Sequence, residues 1–403
     1  MLRASTHRLV AGFAAIAVLT AACTSGGGAS PAASTAASAA APSTAASEAA
    51  PSTGASAAGA ASPGGSAAAG GKQWKIGFSN AAGVGNGFRE EQLCTARAQA
   101  LVSGQVSELT AIHHTVSATE QLQDLRDLIA KKVDAIVFNP NDAAALNPAL
   151  AEAHTAGIKT VAIDAYVTDP NTVNLSNDQV GYAYVGASWL FKQMGGQGTV
   201  YYMRGLAGHP ADNDRHTGFM KALSENPNIK VLPSKDGIAT GWDPNKGTQL
   251  INEFIASGQY DTIQGIWTSG IDQQVVDAIQ KAGKKFVPIV GADLRGFVDQ
   301  LLNTSGKYNG LQGIAVYNPA AVGGAGILLA LKLLNGETVQ MGEGNKVLLP
   351  TPEAYDNVSD AGKAKLKEVD VPQLNALWPV SYSIPNQTTY TLDQMLACKG
   401  PGQ

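Results

Sequence analysis

The chain has 403 residues, of which 28 are Lys or Arg and 32 are Asp or Glu, giving a formal net charge of −4 at pH 7. It has no basic excess and no cluster of Lys and Arg interleaved with aromatic residues, which argues against nucleic acid as a partner. About 330 residues follow a low-complexity N-terminal part, which is enough for two lobes of ordinary size.

The N-terminal residues have the pattern of an export signal. Arg3 and Arg8 precede an apolar run over 9–19 that is too short to span a bilayer, and small residues stand just before Cys23. The sequence around Cys23 resembles the bacterial lipoprotein signal, in which that cysteine is acylated. An ordinary signal peptide with an incidental cysteine is the alternative. We therefore predict a lipoprotein signal peptide over 1–22 and a lipidated Cys23.

A low-complexity segment follows the signal. Residues 24–71 consist of Ala, Ser, Thr, Gly and Pro, with Glu48 as the one exception. Such a chain has little apolar surface to bury, so nothing offsets the entropy lost on ordering. We predict a disordered tether over 23–71 that holds an exported body on the outer face of the cytoplasmic membrane through the lipid anchor alone.

From Lys72 onward the chain alternates between strand and helix patterns. Strand patterns occupy 75–79, 109–112, 133–138, 159–163, 199–203, 229–232, 262–267, 286–290 and 312–316. Helix patterns occupy 88–101, 117–131, 142–156, 180–194, 211–225, 244–257, 271–282 and 320–334. Strands separated by helices of this length predict an α/β fold of parallel sheets built from βαβ units. Two sheets fit this number of strands better than one twisted open sheet.

Polar side chains follow the predicted strands, where a parallel sheet binds its ligands. The set contains amides, carboxylates and hydroxyls with few cations, which suits a neutral ligand covered in hydroxyl groups. Taken singly, each residue has a structural alternative, because Asn and Asp after a strand often cap helices or form turns. Trp267 can stack on a sugar face or fill the core. The candidates from this pattern are Asn80, Asn139, Asp164, Trp267, Ser269, Asp293 and Tyr317.

Several segments of the body resemble the ribose-binding-protein-like, sugar-binding group of type I periplasmic binding proteins. The resemblance covers roughly 73–350 and is carried by the sequences at 124–140, 156–164, 215–219, 278–283 and 290–293. It implies two Rossmann-like lobes joined by a three-segment hinge that closes around a sugar. It also implies an extracytoplasmic receptor that delivers this ligand to the permease of an ABC importer.

The same resemblance assigns roles to individual residues. It makes Asp164 a bidentate acceptor for sugar hydroxyls and Arg215 a donor to a sugar oxygen. Ala165 stands where the family commonly has Arg, so ribose itself is not implied. Tyr317 stands where the family often has Gln, and Asp293 follows the strand that returns to the cleft. Ligand contacts in the first loop are expected from Asn86, Phe88 and Arg89.

The alignment also implies domain boundaries. It places the N-terminal lobe at 72–176 plus 318–347, the C-terminal lobe at 177–317, and the third hinge crossing with a C-terminal extension at 348–403. In an exported protein, Cys94 and Cys398 are more often a disulfide than a reactive site, with two buried thiols as the alternative. We expect the extension to pack back across the first lobe and bring Cys398 to Cys94.

No motif indicates an enzyme: the sequence has no His-Glu-x-x-His, no Gly-x-Ser-x-Gly and no phosphate loop. The prediction is therefore a monomeric binding protein with no cofactor and no metal. A sensor for a kinase or chemoreceptor is one alternative, because the closed surface that a permease reads can also be read by a receptor. A carbohydrate-active enzyme is the other.

Overall fold

The computed structural model describes residues 72–83, 85–115 and 117–398. The predicted signal peptide, Cys23 and the predicted tether lie outside the described residues. None of the helices in this part of the chain is long and apolar enough to cross a membrane.

Strands and α-helices alternate through most of the described residues, as the sequence pattern predicts. The strands are β1 (Trp74–Asn80), β2 (Val106–His113), β3 (Ala135–Asn139), β4 (Lys159–Asp164), β5 (Val173–Ser176), β6 (Gln197–Arg204), β7 (Asn228–Leu232), β8 (Ile238–Ala239), β9 (Gly265–Trp267), β10 (Ile289–Ala292), β11 (Gly313–Val316), β12 (Lys346–Leu348) and β13 (Ala354–Asp356). The helices are α1 (Gly87–Ser103), α2 (Ala118–Ala130), α3 (Asn147–Thr155), α4 (Gln179–Gln193), α5 (Pro210–Ser224), α6 (Pro244–Ala256), α7 (Asp272–Lys281), α8 (Arg295–Leu302), α9 (Val322–Leu334), α10 (Asp360–Val369) and α11 (Leu392–Leu396).

The strands form two sheets, which define two lobes. The first sheet has the order β12-β5-β4-β3-β1-β2, and all its pairings are parallel. The second has the order β13-β11-β10-β9-β6-β7, with β8 paired to β6, and only β13 runs antiparallel. The predicted fold class, two lobes with parallel sheets, is confirmed.

Helices cover both faces of the first sheet, which explains its continuous apolar strands. All five residues of β3 are buried. One core cluster lies where the sheet packs against α1 and α9, and another lies on the side of α2 and α3. The register brings the carboxyl ends of neighbouring strands together, because Asn80 pairs with Asn139 and Asp164 pairs with Ser176. Polar residues at these strand ends therefore converge on one edge of the sheet.

Helix α3 begins later than the predicted 142–156. Asp142 accepts hydrogen bonds from the backbone N–H groups of Ala144 and Ala145 and closes a turn. The helix starts at Asn147, with Pro148 in its first turn, where the missing N–H is not needed. The Ala-rich run after β3 therefore contains a turn and a shorter helix.

In the described part of the chain, passages between the lobes occur at four places along the sequence. The first three passages follow β5, β11 and β12, near the positions that the resemblance implies. The fourth lies in the C-terminal segment, which we define as residues 370–398. Val380 belongs to the second-lobe core and Ile384 to the first-lobe core. The expected three-segment hinge thus has an additional connection.

The sequence predicts that the C-terminal extension packs across the first lobe. The structure shows that this segment also contacts the second lobe. Helix α11 packs on α1, and a disulfide joins Cys94 to Cys398 with 5.4 Å between their Cα atoms. Residues 376–380, here called the strap, bond instead to the second lobe: Val380 N–H donates to Asp293 O, and Arg295 N–H donates to Trp378 O. The extension is therefore attached to both lobes.

Candidate ligand-binding site

The carboxyl ends of both sheets border one cavity between the lobes. First-lobe residues come from the loop before α1, the start of α1 and the end of β4, while second-lobe residues come from α5, the start of α6 and the loops after β9 and β10. The strap closes part of the wall. The lining residues are Gly85, Asn86, Gly87, Phe88, Arg89, Asp164, Ala211, Arg215, Trp242, Pro244, Ser269, Gly270, Ala292, Leu294, Asn318, Leu377 and Pro379.

Asp164 provides a carboxylate in a fixed position at the polar part of the cavity wall. It ends β4 with a φ of 67°, a left-handed conformation that is uncommon for a residue other than glycine and that is found at functional sites. Its carboxylate accepts from Asn139 Nδ2 at 3.2 Å, Asn177 Nδ2 at 3.2 Å and Gln179 Nε2 at 2.9 Å. These amides fix the carboxylate as a preorganised acceptor at the cavity wall.

Gln179 connects Asp164 to the second lobe. Its amide nitrogen donates to Asp164, and its carbonyl oxygen accepts from Arg215 Nε at 2.7 Å. Asn318 Oδ1 accepts from Asn177 Nδ2 at 2.9 Å and from Gln179 Nε2 at 3.3 Å. Because Asn177 and Asn318 lie in the first two passages between the lobes, this network ties the hinge directly to the cavity.

Arg215 supplies positive charge from α5. Its guanidinium lies over the Tyr182 ring at 4.2 Å and 5.7 Å from the centroid of Trp242, in cation–π geometry. The side chain is buried, and within the described part of the chain its terminal nitrogens donate to no residue. These N–H groups are available to oxygen atoms of a ligand.

Arg89 is a second buried arginine that lines the cavity, and its side chain contacts residues of both lobes. Its Nη1 donates to Asn80 Oδ1 at 3.3 Å, while Nη2 lies 3.2 Å from His209 Nε2 on the second lobe. Burial lowers the pKa of Arg89 to about 10, against the opposing effect of the Asp164 charge, so the guanidinium is charged at neutral pH. Burial and the charges of Arg89 and Arg215 hold the pKa of His209 well below its usual range.

Aromatic and hydroxyl groups complete the site. Phe88 and Trp242 line the cavity from different lobes, and Trp242 Nε1 donates to Ser269 Oγ at 3.4 Å. The His209 ring meets the Trp242 ring edge to face, with centroids 5.0 Å apart. Asn86 also lines the cavity, and its Oδ1 caps α1 by accepting from Arg89 N at 3.2 Å.

The structure brings six of the predicted contacts to the cavity and places the other five behind its wall. Asn86, Phe88, Arg89, Asp164, Arg215 and Ser269 line it; Asn80, Asn139, Trp267, Asp293 and Tyr317 do not.

Asn80 and Asn139 hold Arg89 and Asp164 in place. Asp293 is fully buried and accepts from the Asn318 N–H at 3.0 Å; burial raises its pKa to about 6. Tyr317 donates to Ser383 O at 3.3 Å on the other side of the hinge. These four residues support the site from behind.

Trp267 fills the core, which corrects its candidacy as a stacking residue. It is fully buried, and its ring meets Tyr202 and Phe219 edge to face at 5.2 and 5.8 Å. As part of the interior strand β9, it is covered on both faces of the sheet, whereas Ser269 lies beyond the strand end. On the second lobe, Trp242 is the aromatic residue that lines the cavity.

Sequence reasoning missed Trp242, Gln179 and the strap residues Leu377 and Pro379. Trp242 lies in the turn Thr240-Gly241-Trp242-Asp243-Pro244, whose glycine and proline mark a loop before a helix but do not indicate where the indole packs. In the described residues no group of three or more His, Cys, Asp and Glu side chains could hold a metal ion.

A model of the periplasmic binding protein domain matches residues 76–338, more than half of the chain. The chain belongs to the periplasmic binding protein family. The family prediction made from the sequence is thereby confirmed. The strap and the cysteine at position 398 lie beyond the matched residues.

Curated relatives of this periplasmic binding protein carry the names of binding proteins. It is 29% identical over 223 residues to the xylitol-binding protein of Mycolicibacterium smegmatis, covering 55% of this chain and 62% of that protein. It is 25% identical over 224 residues to the ribose import binding protein RbsB of Escherichia coli, covering 55% of this chain and 72% of that protein. The match thus spans about three fifths of the xylitol-binding protein.

Among solved structures, the ABC transporter solute binding protein of Thermobispora bispora resembles this chain with a TM-score of 0.66. The likeness covers 81% of this chain and 94% of that one at 22% identity. At this identity it shows the fold alone.

Proposed function

We propose that this protein is an extracytoplasmic receptor that binds a sugar or a sugar-like polyol between its lobes and delivers it to an ABC importer. The observation that carries the proposal is the preorganised Asp164 carboxylate, which lines a cavity between Arg89 of one lobe and Arg215 of the other. A carboxylate accepts from two adjacent hydroxyls, and a guanidinium donates to their oxygens.

The other cavity residues fit the same kind of ligand. Phe88 and Trp242 offer ring faces against which the C–H face of a sugar stacks. Asn86, Ser269 and Asn318 offer neutral hydrogen-bonding groups. The names of the two curated relatives, a xylitol-binding and a ribose import binding protein, support a polyhydroxylated ligand.

Ligand binding in this account requires hinge rotation. The cavity has walls from both lobes, and Arg89 and His209 already meet across it, so a ligand must enter when the lobes separate. The closed pair then presents a surface that the permease reads. We assign 72–176 plus 318–347 to the first lobe, 177–317 to the second, and 348–403 to the third crossing with the C-terminal extension. The receptor acts as a monomer.

The N-terminal sequence supports a location of the receptor at the membrane surface. Export by the signal at 1–22 and acylation of Cys23 would hold the receptor at the outer face of the cytoplasmic membrane, with 24–71 as the tether. The attached body could then reorient over the permease. Globomycin-sensitive processing and incorporation of labelled palmitate at Cys23, both lost in Cys23→Ser, test this part.

A thermal-shift screen of the purified protein against pentoses, hexoses and alditols tests the receptor function. A ligand present at 100 times its dissociation constant adds about 2.7 kcal/mol to the free energy of unfolding. We expect at least one compound to raise the melting temperature in a saturable manner. A screen without a hit, or hits confined to amino acids and peptides, would contradict the proposal.

A further inference from the structure

The strap contributes to the wall of the ligand cavity, although it lies outside the residues matched by the family model. Leu377 and Pro379 line the cavity, while the match ends at residue 338. Part of the cavity wall therefore lies on a segment beyond the residues that the family model matches. The side chains of that segment therefore affect which ligands fit the cavity.

The strap is fixed against the second lobe by its backbone. Ala376 O accepts from Gly296 N at 2.8 Å, and Trp378 O accepts from Arg295 N at 2.8 Å. Pro379 pairs in antiparallel fashion with Leu294. The side chains of strap residues are thereby held beside the loop that follows β10.

Contacts with the first lobe hold the other side of the strap. Trp378 packs in a cluster with Cys94 of α1, and its Nε1 donates to Glu90 Oε2 at 3.4 Å. Leu377 lies so close to Gly87 that a Cβ at position 87 would clash with Leu377 O. The disulfide between Cys94 and Cys398 keeps the end of the segment on the same helix.

The strap adds only apolar side chains to the cavity, next to others that are also apolar. Leu377 and Pro379 join Ala292 and Leu294, and Pro379 pairs directly with Leu294. We call these four residues the apolar wall. The polar groups that line the cavity, among them Asp164, come from other parts of the chain.

A ligand hydroxyl placed against the apolar wall loses its bonds to water and meets no donor or acceptor side chain there, whereas a methyl group or a deoxygenated carbon gains from burial. We propose that the apolar wall makes the site selective for a carbohydrate with a deoxygenated or methyl-bearing carbon at one end. This inference rests on the proposed receptor function and narrows its ligand class.

The test is calorimetric titration of the whole protein with matched pairs of sugars that differ by one hydroxyl: D-fucose and D-galactose, L-rhamnose and L-mannose, 2-deoxy-D-ribose and D-ribose. In at least one pair we expect the deoxy sugar to bind about 10- to 100-fold more tightly than its partner, the range by which apolar sites discriminate such analogues.

Leu377→Asn places a polar group of similar size in the apolar wall and should reduce that ratio at least fivefold. Leu101→Asn is the matched control, because Leu101 is 76% exposed at the end of α1. Pro379→Ser serves as a second strap variant should Leu377→Asn fold poorly, as judged by its melting temperature.

Equal or tighter binding of the fully hydroxylated sugars, or a ratio that Leu377→Asn and Pro379→Ser leave unchanged, would overturn the inference while the receptor function stands. The absence of binding by every sugar of the panel, deoxygenated or not, would overturn both.

Discussion

On the hinge side of the cavity, Asp164 is held by three side-chain amides and connected through Gln179 to Arg215. On the strap side, Leu377 and Pro379 present apolar surface and are held by backbone pairing and a distant disulfide. The first side uses preorganised charge and suits hydroxyl groups. The strap side offers no polar side chain to the cavity and therefore disfavours hydroxyl groups of a ligand. The two sides of this cavity therefore differ in the ligand groups that they suit, and they come from different parts of the chain.

The largest expected effect comes from removing the covalent attachment of the strap side. Cys94→Ser combined with Cys398→Ser opens a loop with a sequence separation of 304 residues. In the chain-entropy model, the free energy of unfolding should fall by roughly 5 to 6 kcal/mol. Urea unfolding of the oxidised protein and of this variant measures the difference. A loss below about 1 kcal/mol would mean that the C-terminal segment is held by packing alone.

On the hinge side, Arg215→Met should weaken ligand binding by about 10- to 150-fold, the equivalent of a charged hydrogen bond. The methionine keeps much of the length that packs on Tyr182 but cannot donate to the ligand or to Gln179. Calorimetric titration with a hit from the sugar screen gives the dissociation constants.

The matched control is Arg126→Met, which removes an exposed arginine paired with Glu152. It should leave affinity unchanged. Arg215→Lys, which keeps the charge, should recover part of the lost affinity. If Arg215→Met binds as tightly as the native protein, the arginine has only a packing role.

The contact between strap and α1 can be disturbed without changing the strap itself. In Gly87→Ala, the added Cβ meets backbone atoms of Leu377 that cannot swing aside, so the strap must shift. The free energy of unfolding should fall by about 1 to 3 kcal/mol, and discrimination within the sugar pairs should weaken. Gly306→Ala, where the added Cβ meets no atom within 4 Å, is the control. An equal effect of both substitutions would contradict the proposed contact.

Acidification should weaken ligand binding through His209, which contacts Arg89 across the cleft. The pKa of His209 is lowered in the closed form, first by burial and then by Arg89 and Arg215. With the lobes apart, an ordinary pKa of about 6.5 is expected. Below this pH the open form binds a proton that closure must release, so the affinity should fall by up to about tenfold per pH unit.

His209→Asn keeps a helix-capping side chain and should flatten that pH dependence. Titrations between pH 5 and pH 8 measure it. The affinity for ligand is a better readout of His209 than the free energy of unfolding, because protonation of Asp293 changes that free energy in the opposite direction to protonation of His209. Burial raises its pKa to about 6, so it favours the folded state at low pH, and this contribution is lost as the pH rises through 6. If the native protein and His209→Asn show the same dependence of ligand affinity on pH, His209 is not the responsible group.

The sequence predicts the hinge side far better than the strap side, for physical reasons. Strand and helix periodicity arises from local burial, so the two-lobed α/β fold and the position of Asp164 at a strand end are predictable. Gln179 follows the first passage between the lobes and looks like an ordinary residue at a helix start. Its hydrogen bonds to Asp164 and Asn318 form only when the lobes are placed together.

The strap has no periodicity, and its partners at 294–296 are some 80 residues away in sequence, so no local pattern indicates that pairing. Trp267 and Trp242 illustrate the same limit. Each follows a mixture of polar and apolar residues, yet Trp267 is enclosed by the sheet and Trp242 is brought to the cavity by a turn. The roles of the cavity residues in ligand binding stay predictions.

The most direct test of the receptor account is calorimetric titration of the best ligand into the native protein, Asp164→Asn and the exposed control Asp360→Asn. Asparagine tolerates the left-handed backbone at position 164 but cannot act as a charged acceptor for two hydroxyls. The account predicts one ligand per chain with micromolar or tighter affinity in the native protein and in Asp360→Asn, and no measurable binding in a folded Asp164→Asn. Undiminished binding by Asp164→Asn would contradict it.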